Sequence, residues 1–154
     1  MRNHRHTRRR MLAGIAGVMA LAPLSRIARA AADATLSFDE LYGRTTVLGL
    51  EFSDKTKSLA GREVGMKGFM APPLKAEAKF FVLTEIPMAL CPFCSTDADW
   101  PDNIVVVYLK EAQTFVQANR PIEATGRLEV GSWRDPETGF VSLVRIVDAE
   151  FATA

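Results

Sequence analysis

Ile122-Glu123-Ala124-Thr125-Gly126-Arg127-Leu128-Glu129-Val130 alternates without a break: Ile122, Ala124, Gly126, Leu128 and Val130 fall on one side of an extended chain, the four remaining residues on the other. Successive side chains of a strand point to opposite faces, so this stretch predicts a strand with one dry and one wet face. Just downstream, Asp135-Pro136-Glu137-Thr138-Gly139 carries turn chemistry and leads into Phe140 to Phe151, which makes the last two strands a hairpin. Upstream, Glu63 to Met70 alternates in the same way, with Val64, Met66, Gly68 and Met70 on one face, and Pro72-Pro73 ends it. Lys79 to Ile86 and Asn103 to Leu109 are apolar on both faces, the pattern of central strands. Near the start of this region Ser37 reads as an N-cap, with Glu40 completing a capping box and Leu36 and Leu41 as a hydrophobic staple; Gly43 keeps that helix short. Ser53-Asp54-Lys55 reads as a polar turn, with Phe52 and Leu59 available to the core.

Five strands, short connections, glycines at Gly65, Gly68 and Gly126 where a sheet bends sharply, and almost no helix predict a mostly β fold. The expected form is a small OB-like five-stranded barrel with a short N-terminal helix, and a two-sheet β-sandwich is the alternative.

The N-terminus follows other rules. Met1 to Arg10 hold five arginines, both histidines and no acid, and an apolar run rich in Ala and Gly follows from Met11 to Leu24. These are the charged and apolar regions of an export signal, and the run falls short of the roughly 20 residues that span a bilayer. Ala28 and Ala30 put small residues where a signal peptidase needs them, so cleavage is expected after Ala30, and no cysteine lies nearby to take a lipid. Thr7-Arg8-Arg9-Arg10-Met11-Leu12 resembles the twin-arginine consensus, with Arg8 and Arg9 as the pair, and departs from it at Met11 and Ala13. The expected organisation is therefore a twin-arginine signal over residues 1–30 and a single domain over 31–154. The twin-arginine export machinery would deliver that domain to the periplasm as a soluble protein; an ordinary secretory signal is the alternative and leads to the same place.

Removing residues 1–30 takes away seven arginines and no acid, leaving 12 basic against 18 acidic residues and a net charge of −6. A domain so charged repels phosphate backbones, so no nucleic-acid partner is expected. His4 and His6 leave with the signal. Without imidazole there is no Ser-His-Asp or Cys-His pair, no histidine-ligated metal and no histidine base, which disfavours hydrolase chemistry.

Cys91-Pro92-Phe93-Cys94 is the one constellation with chemistry in it, and three readings compete. A disulfide closing so small a ring stabilises by only about 2 kcal/mol. A soft-metal site would join Cys91 and Cys94 to Met88: sulfur alone favours copper(I), and Asp97 or Asp99 beside the thiolates would suit zinc. A redox pair has the Cys-Pro-Phe-Cys spelling of glutaredoxin-like sites. However, the chain meets Pro101 and the next strand before a long helix can follow, and Asp97, Asp99 and Asp102 oppose a lowered thiol pKa. Met66 and Met70 lie on an apolar strand face and read as core. Trp100 and Trp133 read as turn residues that either cap a barrel end or form a binding surface.

From about Leu59 to Phe151 the chain resembles a family of small exported bacterial proteins of unknown function with an OB-like barrel. The resemblance rests on Val64-Gly65-Met66-Lys67-Gly68-Phe69-Met70-Ala71-Pro72, the strand Phe80 to Leu83, the loop with cysteine and proline, and Ala124-Thr125-Gly126-Arg127-Leu128. Many relatives carry a cysteine followed by histidine and a proline run, where this chain has Cys94, Ser95 and a single Pro101. Members are often encoded beside ABC-transporter components, so the resemblance implies an accessory role at the inner membrane with such a component as partner. The expected function is a periplasmic, non-catalytic accessory or binding protein whose Cys-Pro-Phe-Cys loop holds a soft metal or a disulfide. The alternative is thiol–disulfide exchange, with Cys91 attacking and Cys94 resolving.

Overall fold

The computed structural model describes residue 32 and residues 34–47, 49–72, 79–88 and 100–154. The elements are β1 (Ala34–Thr35), a single 3₁₀ turn (Phe38–Glu40), β2 (Tyr42–Thr46), β3 (Gly49–Phe52), α1 (Asp54–Leu59), β4 (Glu63–Met70), β5 (Phe80–Thr84), β6 (Ile104–Leu109), β7 (Pro121–Arg134) and β8 (Val141–Thr153). The protein is mostly β, with a six-stranded and a two-stranded sheet and very little helix.

In the large sheet the strand order is β1-β4-β5-β6-β8-β7, and β4 also pairs with β7. The pairings β4–β5, β5–β6, β6–β8, β8–β7 and β7–β4 therefore form a ring. All are antiparallel except β6–β8. β1 adds to the outside of β4 in parallel, Ala34 opposite Val64 and Thr35 opposite Gly65. The small sheet is the antiparallel pair β2–β3. The expectation of a five-stranded architecture is corrected in two respects: the main sheet has a sixth strand, and a hairpin and α1 intervene before β4. The second sheet is that hairpin alone, so the sandwich of two facing sheets does not form.

Alternation in the sequence explains the ring. Val64, Met66 and Met70 of β4 and Ile122, Ala124 and Leu128 of β7 are buried, as are Val144, Ile146 and Ala149 of β8. β5 is buried along its whole length, and β6 everywhere but Tyr108, which is half-buried. At roughly 1.5–3 kcal/mol for each large apolar side chain, this burial dominates the favourable terms. The segment before β4 adds Leu36, Phe38, Leu41 and Leu59 to the same core.

Two local devices hold that segment. The Ser37 amide donates to Glu40 Oε2 at 3.1 Å, and Lys55 meets Glu40 Oε1 at 2.6 Å, tying the 3₁₀ turn to α1. Lys55 and Ser37 hold the Glu40 carboxyl below its usual range. Ser53, expected in a turn, is instead the N-cap of α1, and its Oγ accepts from the Thr56 amide at 3.1 Å.

Gly68 is where β4 must lack a side chain. A Cβ there would stand 2.6 Å from the Thr84 carbonyl oxygen, 3.0 Å from Leu83 Cγ and 3.1 Å from Phe38 Cε2. Gly68→Ala is expected to lower the unfolding free energy by about 1–3 kcal/mol, the range for overpacking a full core. The exposed neighbour Lys67→Ala should change it by less than about 0.5 kcal/mol. Urea denaturation of the two variants checks both.

Candidate functional site

Beside the ring, β7 and β8 form the floor of a groove of about 520 Å³, with Thr125, Gly126 and Arg127 from β7 and Asp148, Ala149 and Glu150 from β8. Glu63, at the start of β4, and Lys110 to Gln113, just after β6, form its walls.

The floor owes its shape to a break in register. Thr125 pairs with Glu150 and Arg127 with Val147, so Asp148 and Ala149 stand opposite Gly126 alone. A two-for-one bulge of this kind bends the strand and re-aims a side chain. Asp148 has φ 51°, the left-handed region that few residues other than Gly, Asn and Asp adopt. Its carboxylate is thereby turned to Arg127, with Nη2 3.0 Å from Oδ2. A Cβ on Gly126 would lie 2.7 Å from the Val147 carbonyl oxygen and 2.9 Å from Ala149 Cα, so the floor is backbone at that point.

Charge in the groove is partly committed. Arg127 also pairs with Glu129, and the two acids hold its guanidinium protonated, raising its pKa. The Gln113 side chain is occupied by the backbone of Phe151, accepting from its amide at 3.0 Å and donating to its carbonyl at 3.3 Å. The alternation places Thr125 on the wet face, yet it is only 6% exposed. The buried side-chain oxygen that lacks a hydrogen-bond partner among the described residues is Ser142 Oγ of β8.

A second feature lies along the same hairpin. Tyr108 stacks on Phe80 with centroids 5.2 Å apart and meets Trp133 edge-on at 5.3 Å, while Arg145 lies 5.1 Å over the Trp133 ring. Arg145 Nε is 2.9 Å from Glu129 Oε2, so the charge network of the groove runs on into this aromatic cluster. Trp133 belongs to β7, which corrects its assignment to a turn.

Cys91 and Cys94, with Asp97 and Asp99, lie outside the described residues, as do Arg8, Arg9, Ala28 and Ala30 of the signal. Met88, the third sulfur, is described and half-buried. Among the described residues no group of three or more His, Cys, Asp or Glu side chains is placed to hold a metal ion. The expected metal or disulfide site therefore gains nothing from the described residues, and the site they do build is elsewhere. Trp100, which follows the segment of Cys91 and Cys94, is buried, and its indole Nε1 donates to Tyr42 Oη at 2.9 Å. Trp100 thus packs into the core, neither a surface residue nor a turn tip.

No protein-family model and no curated protein matches the chain. Its fold is similar to the crystal structure of a DUF3299 family protein from Pseudomonas aeruginosa, with a TM-score of 0.52 and 13% identity over 78% of this chain and 95% of that one. Among the described residues no helix is long and apolar enough to cross a membrane.

The groove could not be foreseen from the alternation alone, because the bulge that shapes it is a pairing event between two strands. The one available signal was Gly126 within a strict alternation, since an isolated Gly in a strand marks a bulge or close backbone approach.

The two tyrosines of the chain are Tyr42, bonded to Trp100, and Tyr108, in the aromatic cluster, and burial raises the pKa of each above its ordinary value of 10.0. For Tyr108 the Asp135 carboxylate, whose Oδ2 accepts from its hydroxyl at 3.1 Å, adds to the effect. The folded protein holds both phenolic protons more tightly than the unfolded chain. The stability they confer is complete below pH 10.0 and is lost as pH rises beyond it toward the folded values. In an alkaline titration, tyrosinate absorbance should appear only as the circular-dichroism signal of the fold disappears. Tyrosinate forming at the ordinary pKa in folded protein would contradict the assignment.

Proposed function

We propose that this chain is a small exported bacterial protein of the periplasm, acting as a non-catalytic accessory or binding module. The groove carries the reading. Its lining offers carboxylates, cations, an amide and a hydroxyl on a strand floor, groups suited to holding a polar ligand. We read the ring of β4, β5, β6, β8 and β7 as an OB-like unit, and the likeness to a DUF3299 family protein supports kinship with that family of unknown function. An accessory role beside an ABC-transporter component at the inner membrane fits the resemblance of the motifs around Val64 and Ala124.

Thiol–disulfide exchange through Cys91 and Cys94 is the second reading, and the Cys-Pro-Phe-Cys spelling supports it. A reduction potential below about −300 mV would mark an inert disulfide and end it; a value near those of the known exchange proteins, about −120 to −270 mV, would put it first.

Export is tested by cell fractionation. The precursor with Arg8→Lys and Arg9→Lys is expected to stay in the cytoplasm uncleaved, while the parent chain reaches the periplasm shortened at Ala30. Unchanged export of the variant would remove the twin-arginine route, and a parent chain that stays cytoplasmic would remove the periplasmic role.

A further inference from the structure

Ala32 lies on the wet face of β4, over a residue without a side chain. Its Cβ stands 3.2 Å from the point that a Cβ on Gly65 would occupy, and Glu123 Oε1 of β7 stands 3.1 Å from the same point. The N-terminal segment and Glu123 therefore border one patch of bare backbone. Glu123 is half-buried and has no ion-pair or hydrogen-bond partner among the described residues. Lys67 stands opposite it in register but makes no ion pair with it. Beside this patch β1 is held to β4 by two register pairs and by the Leu36 amide, 3.0 Å from the Gly65 carbonyl oxygen. A strand so short gains from any further tie, and a partly buried carboxylate gains from a cation.

The expected cut after Ala30 creates a cation here. Hydrolysis of the bond between Ala30 and Ala31 takes up one water and leaves a carboxylate on Ala30 and an ammonium on Ala31. Bond lengths keep the nitrogen of residue 31 within about 5 Å of the Ala32 Cα in any backbone conformation, so the new charge arises beside the patch. The charged groups that face it are Glu63 and Lys67 from β4, Glu123 and Arg127 from β7 and Glu150 from β8, and Asp33 follows in sequence. Arg127 is committed to Glu129 and Asp148. What remains is an excess of negative charge, complementary to an ammonium, and Glu123 is the acid set against Ala32.

We propose that removal of the signal closes a latch: the α-ammonium of Ala31 pairs with the Glu123 carboxylate and pins the N-terminal segment across Gly65, beside the edge of β4 that β1 covers. In the precursor residue 31 is an uncharged peptide unit, so the pair forms only in the processed chain. The segment that carried the signal thereby becomes part of the folded domain. The latch is complete below about pH 7.7, the ordinary pKa of an α-amino group, and opens as pH rises beyond it and the ammonium loses its proton. The inference rests on reading residues 1–30 as a cleaved signal, and its test keeps the two apart.

Processed protein is isolated from the periplasm, its first residue is read by mass spectrometry, and the rate at which acetic anhydride acetylates its α-amino group is measured at pH 7 and pH 9.5. Only the free base reacts, so an ammonium held by a carboxylate reacts slowly. At pH 7 the parent is expected to react roughly 1.5-fold to fivefold more slowly than Glu123→Gln, the range set by one partly exposed ion pair, and at pH 9.5 the two rates should converge. Lys67→Gln, which removes the competing cation, should react more slowly still than the parent at pH 7, a change that a merely disturbed segment would not produce. Circular dichroism of each variant establishes that the fold is kept. Equal rates for the parent and Glu123→Gln at pH 7 would overturn the latch and leave the cut standing. A difference that persists undiminished at pH 9.5 would overturn it in favour of simple shielding, and a first residue other than Ala31 would overturn it together with the reading of the cut.

Discussion

At Gly126 the backbones of β7 and β8 approach until no side chain fits between them, and much of what surrounds the groove follows from that contact. A Cβ at this position would meet Ile146 Cγ2 at 2.8 Å as well as the backbone of Val147 and Ala149. Two residues of β8 then face one of β7, and Asp148 adopts φ 51°. Its side chain leaves the strand line and reaches Arg127, from which a chain of contacts runs through Glu129 and Arg145 to Trp133. The two pairs of Arg127 are partly exposed, with Asp148 69% and Arg127 45% accessible, and such pairs contribute about 0.2–1 kcal/mol each, while Arg145 in the pair with Glu129 is only 11% accessible. A left-handed residue other than glycine costs about 1–2 kcal/mol, somewhat less for Asp. Backbone packing, not charge, is therefore the term that sets the bulge, and the ion pairs decorate a geometry already imposed.

The ring depends equally on β4 serving two partners. Its first seven residues pair with β7 and its last two with β5, which leaves part of its outer edge to β1. An unpaired edge is a template for aggregation, and a short added strand protects it. The N-terminal segment thus does more than precede the sheet: β1 covers an edge, Phe38 packs onto the bare backbone at Gly68, and Glu40 links the 3₁₀ turn to α1.

Strand existence was legible because burial acts residue by residue. Glu63–Met70 emerges with the bounds its alternation suggested, and β5 and β6 are buried as their unbroken apolar runs required. The capping box at Ser37 was legible too, as a local hydrogen bond written into four residues. What escaped was short or relational. α1 has six residues, too few to display a helical period, and β3 has four. Thr125 is buried although its face is wet, and it sits between Gly65 of β4 and Glu150 of β8, neighbours that exist only once strands pair. Attention to Cys91 and Cys94 followed chemistry that is visible in isolated residues. The groove is made of ordinary residues whose meaning comes only from register.

The account stands on the bulge being a backbone constraint that shapes the groove floor whatever charge occupies position 148. Comparing Asp148→Gly with Asp148→Ala by chemical denaturation separates the two effects, since both lose the pair with Arg127 and only alanine meets the left-handed penalty. The glycine variant should match the parent within about 0.5 kcal/mol, and the alanine variant should fall about 1 kcal/mol below it. Equal losses in both variants would mean that the ion pair holds the bulge, and would contradict the account.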